Sequence, residues 1–91
     1  MNLSSIIQQT ENAVSCEIED QTVLLNIEAG KYHGFNEVAS RIWQIIEAPM
    51  KISQICDQLM QEFDISEAQC KSEVLGFLKQ LNDAGLITIN D

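Results

Sequence analysis

Three cysteines, one histidine and fourteen carboxylates are the side chains of this 91-residue chain that could do chemistry. Cys16, His33, Cys56 and Cys70 could hold zinc only if all four converged, and the close Cys or His pairs that mark zinc sites are absent. His33 beside a cysteine could activate a thiolate, but no orienting Asn or Asp arrangement and no Gly-rich elbow accompanies it. No phosphate-cradling loop or dinucleotide motif occurs. The carboxylates are scattered over polar positions, as solvating charges are. The expectation is no catalytic residue, no metal and no cofactor.

Function must then come from binding. A formal charge of −9, from five basic and fourteen acidic residues, opposes contact with phosphate backbones. The same charge favours solubility and disfavours acidic membrane surfaces. No segment approaches the roughly 20 apolar residues of a membrane span. An odd number of cysteines without a secretion signal points to the reducing cytoplasm. At this length the chain is one domain, burying roughly 60–65% of its unfolded surface. An acyl-carrier protein is also small and acidic, but it needs an Asp-Ser-Leu attachment triplet that is missing here.

The elements that position these residues follow from hydrophobic periodicity. Residues 1–12 are mostly polar and read as a flexible arm, with residues 13–91 as the domain. Val14, Cys16 and Ile18 alternate with polar neighbours, as do Val23, Leu25 and Ile27, so two half-buried strands are expected. Glu19-Asp20-Gln21 and Glu28-Ala29-Gly30 read as turns, and Lys31 to Phe35 as a third strand. At Asn36, a good N-cap, the period becomes 3.6, with Val38, Ile42, Ile45 and Ile46 on one stripe and Trp43 beside it. That helix must stop before Pro49. Ser53 is expected to cap a second helix with Ile55, Cys56, Leu59, Met60 and Phe63 inward. Ser66 opens a third, with Gln69 reaching back in a capping box and Gly85 ending it. Leu86, Ile87 and Ile89 suggest a last strand. The expected fold is α+β and winged helix-turn-helix-like: a three-stranded N-terminal antiparallel sheet, three helices and a short C-terminal strand.

On the third helix, Cys70, Phe77, Leu78 and Leu81 fall within about 60° of Val74, and Leu75 about 100° away at the stripe's edge. Lys71 and Lys79 lie on the flank of Leu75. If the third strand is an open sheet edge facing this flank, the two form a groove to which a peptide could add itself as an extra strand. Equally, Leu75 is a core residue and the lysines are solvated; the residues alone leave both readings open.

The order and spacing of several short stretches add to this. Tyr32-His33-Gly34-Phe35-Asn36-Glu37-Val38-Ala39, Arg41-Ile42-Trp43, Ile52-Ser53-Gln54-Ile55, Glu73-Val74-Leu75-Gly76-Phe77-Leu78-Lys79 and Ala84-Gly85-Leu86-Ile87 run in sequence across nearly the whole chain. Together they resemble the PqqD-like family, the leader-peptide recognition elements of pathways that make natural products from ribosomal peptides. Phe35 stands where that family usually has Leu. The resemblance implies a non-enzymatic adaptor whose partner is the leader segment of a precursor peptide. The leader would add a strand beside Lys31, Tyr32, His33, Gly34 and Phe35 and pack on Lys71, Leu75, Leu78 and Lys79. The Tyr-x-Gly-Phe-Asn-Glu-Val-Ala variant is most similar to the standalone elements of lasso-peptide pathways, which serve a cysteine-protease-like leader peptidase. Pyrroloquinoline quinone and radical-enzyme peptide pathways remain alternatives, with a winged-helix DNA regulator behind them. Lysines on the groove suggest a leader bearing carboxylates.

Overall fold

The computed structural model describes residues 1–11, 13–18, 21–26 and 30–91, with backbone alone at 17, 18, 21, 26 and 31–33. Its elements in chain order are β1 (Ile6–Gln9), β2 (Ala13–Ile18), β3 (Gln21–Asn26), β4 (Lys31–Gly34), α1 (Glu37–Ile45), β5 (Met50–Lys51), α2 (Ile52–Glu62), α3 (Glu67–Asp83) and β6 (Ile87–Asn90). The expected meander, three helices and terminal strand are all present, and the fold is α+β. Two antiparallel sheets form, ordered β2-β3-β4 and β5-β1-β6. The expected turn residues 19, 20, 28 and 29, and Ile27 on the second strand, lie outside the described residues.

Helix boundaries follow local chemistry. The Asn36 side chain accepts the Ala39 N–H at 2.8 Å, and Ser66 accepts the Gln69 N–H at 3.3 Å. The Gln69 amide does not complete a capping box; it donates to Glu73 at 3.3 Å, one turn on along the exposed face. At the end of α3, Gly85 adopts φ +73°. The Leu86 N–H then reaches the Leu81 carbonyl at 2.9 Å and the Gly85 N–H reaches Asn82 at 3.0 Å, a paired closure that satisfies otherwise orphaned carbonyls. The apolar stripes of all three helices meet in one core that includes Ile42, Ile46, Ile55, Leu59, Val74 and Leu78.

The N-terminal segment is not a loose arm. Ile6–Gln9 is the middle strand of the second sheet, pairing with Met50–Lys51 on one side and Ile87–Asn90 on the other. Ile7 is fully buried. The Ser5 and Leu3 carbonyls accept the N–H groups of Ile52 and Ser53 at 3.1 and 3.0 Å. These bonds do for α2 what a capping side chain would do, so the helix starts ahead of Ser53, the expected cap. Lys51 takes the cap position, and its N–H donates to Gln54 Oε1 at 3.0 Å.

The first sheet also faces opposite to expectation. Thr22 and Leu24 are buried against the helices, whereas Val23 and Leu25 are half-buried, Cys16 is exposed and Val14 is 55% exposed. A one-residue change of phase sends every side chain of a strand to the other face. The phase is set by Ser40 on α1. Its buried hydroxyl accepts the Thr22 N–H at 3.1 Å and donates to the Phe35 carbonyl at 3.4 Å, while the Phe35 N–H returns to Thr22 at 3.0 Å. Cross-strand pairing of Val14 with Leu25 and of Cys16 with Val23 partly shields the outer face.

Four outcomes check these contacts. Ile7→Ala should lower stability by about 2–5 kcal/mol in chemical denaturation, the range for a large aliphatic lost from a core; a loose arm would show no change. Ser40→Ala leaves a buried Thr22 N–H unpaired and should destabilise by about 1–3 kcal/mol. Burial pushes the Cys56 thiol up to about 11 and raises Cys70 as well. Thiol titration at pH 8 should therefore modify Cys16 quickly and the other two only on unfolding. The raised thiols also set a sign with pH: their ionisation opposes folding, so stability should fall as pH climbs from the ordinary thiol range of ~8.5 toward 11.

Candidate functional site

Strand β4 is an outer strand of its sheet, bonded to β3 alone among the described residues. The Phe35–Thr22 bond makes that pair a hydrogen-bonded one. Since such pairs alternate along an antiparallel ladder, His33 and Lys31 also turn their backbone groups toward β3. Tyr32 and Gly34 therefore direct their N–H and C=O groups outward. Gly34 is exposed, and a Cβ built on it would meet no atom within 4 Å. This is a short, open template for a further strand.

Phe35 joins that edge to the helices. Its ring lies edge-on to Phe77 of α3, with centroids 4.9 Å apart at 89°, and 6.4 Å from Trp43 of α1. Beside this contact a groove of about 340 Å³ opens between the first half of α1 and one flank of α3. Val38, Ala39, Ile42 and Phe77 supply its apolar surface, and Asn36, Ser72, Glu73 and Gln80 its polar rim. Gly76 sits among them, exposed and with nothing within 4 Å of a notional Cβ. The arrangement offers backbone pairing, a partly apolar slot and, among the described residues, a rim without a cation.

The structure divides the residues singled out from sequence. Phe35 packs on Phe77, which lines the groove, and Gly34 with the backbone of Lys31, Tyr32 and His33 forms the open strand that leads to Phe35; the side chains of residues 31–33 are outside the described atoms. Lys71 and Leu75 are elsewhere. They line a separate depression of about 580 Å³ with Met1, Asn2, Leu3 and Ser4. Leu75 and Phe77 are two residues apart, about 200° around the helix, so they look out on opposite flanks of α3. Exposed Lys79 is one turn beyond Leu75 on the same row as Lys71. Leu78 is 0% exposed and belongs to the core, as its place about 40° from Val74 already implied. Sequence reasoning missed Val38, Ala39, Glu73, Gly76 and Phe77. The usable signal was Gly76, a helix-weakening residue in the interior of a 17-residue helix.

Arg41, from the Arg41-Ile42-Trp43 stretch, is occupied elsewhere. Its guanidinium grips Glu62 of α2 through Nε at 2.7 Å and Nη2 at 3.0 Å, which holds the Glu62 carboxyl below the usual carboxylate range and raises Arg41. Among the described residues, no three His, Cys, Asp or Glu side chains are grouped to hold a metal, and no helix is long and apolar enough to cross a membrane.

Two solved structures share this architecture. TbiB1 in complex with the TbiA(beta) leader peptide superposes with a TM-score of 0.81 at 29% identity, over 88% of this chain and 93% of that one. A lasso peptide synthetase B1 complexed with the leader peptide gives a TM-score of 0.79 at 16% identity, over 90% and 96%, a likeness of fold alone. No curated protein sequence matches. The sequence pattern of coenzyme PQQ synthesis protein D (PqqD) matches residues 21–87, which takes in the edge strand, both walls of the groove and the start of the second sheet's last strand: this chain belongs to the PqqD family.

Proposed function

We propose that the protein is a peptide-binding adaptor that captures the leader of a ribosomally made precursor, of the lasso-peptide type, and presents it to a leader peptidase and the other maturation enzymes. The observation that carries this reading is the open edge of β4 together with the groove between α1 and α3, which Phe35 adjoins through its contact with Phe77. The likeness to TbiB1, seen with a leader bound, supports it. An added strand bonds to the outward groups of Tyr32 and Gly34, and its side chains alternate between the two faces of the sheet. Backbone pairing accepts many sequences, so selectivity falls to the slot between Val38, Ile42 and Phe77. Holding the leader raises the local concentration of the precursor's cleavage site at the enzyme. The leader loses conformational entropy when it orders, which keeps binding reversible.

Fluorescence anisotropy with two labelled peptides tests the reading: the leader of a short precursor encoded beside this gene, and the TbiA(beta) leader. Gly34→Pro removes an outward N–H without removing a bond to β3, and Gly76→Trp fills the groove from an open position. Each should weaken leader binding at least about tenfold, ~1.4 kcal/mol, with the far-ultraviolet circular dichroism unchanged. Leu75→Glu, on the far flank, should leave affinity nearly unaltered. Loss of binding in Leu75→Glu alone would move the site to that flank; no saturable binding of either leader would reject the adaptor reading.

A further inference from the structure

The groove's charge is opposite to what the lysines of α3 suggested, and it specifies the leader's chemistry. Lys71 is on the far flank, with Lys79 on the same row, and Arg41 is committed to Glu62. Lys51 is at the start of α2, paired across β5 with Ile6. Lys31 opens β4 at the end remote from Phe35, about 13 Å along a strand. Among the described residues, the groove's polar rim is therefore three neutral side chains, Asn36, Ser72 and Gln80, and one carboxylate, Glu73. Glu73 accepts one amide N–H, from Gln69 at 3.3 Å, and no cation pairs with it among the described residues. Exposed Glu37, in the first turn of α1, adds to the same sign next to Asn36.

Resting on the leader-binding reading above, we propose that this groove selects a leader carrying a lysine or arginine next to its apolar anchor, and that Glu73 is the residue that reads it. The anchor enters beside Phe77, and the cationic side chain lies across Gly76, where no side chain blocks its approach to the Glu73 carboxylate. An acidic residue at that point of the leader meets the Glu73 carboxylate, which no described cation neutralises, and is rejected. Since both charges are at the rim, the preference is moderate and salt-dependent.

Selection from an mRNA-displayed library of random 16-residue peptides on the intact protein tests this directly. The expected result is enrichment of peptides with an aromatic or aliphatic residue flanked by Lys or Arg, and exchange of that preference for Asp or Glu in Glu73→Lys. An enriched peptide should lose about two- to fivefold in affinity in Glu73→Gln at low salt, the scale of an exposed ion pair, and its Lys→Gln counterpart should be insensitive to that change. Enriched peptides that compete with a leader but show no basic preference, or an unaltered preference in Glu73→Lys, overturn the charge inference and leave the adaptor reading standing. Failure to enrich any peptide sensitive to Gly76→Trp overturns both.

Discussion

Phe35 is the point on which the candidate site depends. Its N–H is the last rung between β4 and β3, its carbonyl takes the Ser40 hydroxyl, and its ring fills the corner between Trp43 and Phe77. Each contact fixes a different degree of freedom. The rung sets which backbone groups of β4 face outward. The Ser40 bond joins the strand end to the first turns of α1, and the edge-to-face ring contact sets the approach of α3. Aromatic pairs in such geometry contribute about 0.5–1.5 kcal/mol beyond area burial. More to the point here, they favour one orientation, and an edge strand without it could tilt away from the helix.

The second sheet solves a different problem. A helix start leaves its first N–H groups without partners, and α2 begins with Ile52 in the core, where unpaired donors are costly. The chain's first residues meet that demand with main-chain carbonyls, and β1 is held in place by two strands from the second half of the sequence. Met1 to Ser4 are thereby laid beside Lys71 and Leu75. The flank that looked free in sequence is thus partly occupied by the chain's own N-terminus, while the opposite flank remains open.

Local signals were legible and long-range ones were not. Asn36, Ser66 and Gly85 announce helix ends through bonds that span a few residues, and the structure uses all three. The core stripes, with Cys56, Cys70 and Trp43 inward, follow from period alone. β1 has only four residues and its partners are more than forty positions away, so no periodicity within it could reveal the pairing. The face of β2 and β3 was misread because alternation shows which side chains share a face, not which face is covered. That choice was made by Ser40, a polar residue whose partner is eighteen positions earlier. The same limit holds on α3: a helical wheel orders residues around an axis, and only the structure shows that Phe77 meets Phe35 while Lys71 and Leu75 line a separate depression.

Choosing the flank also decides what electrostatics can do. With −9 on a 91-residue chain, the long-range field repels acidic peptides whatever the local contacts. Two lysines on one helix flank cannot reverse that beyond a Debye length of about 8 Å at physiological salt. A cationic residue in the ligand is drawn in by the whole protein and is then read by Glu73 at close range, so steering and docking act with the same sign. An acidic ligand would need the local lysines to overcome the global field. Backbone pairing along β4 is indifferent to charge, and the apolar slot is indifferent to its sign. The charge term is the one by which so small a surface can separate two leaders of equal hydrophobicity.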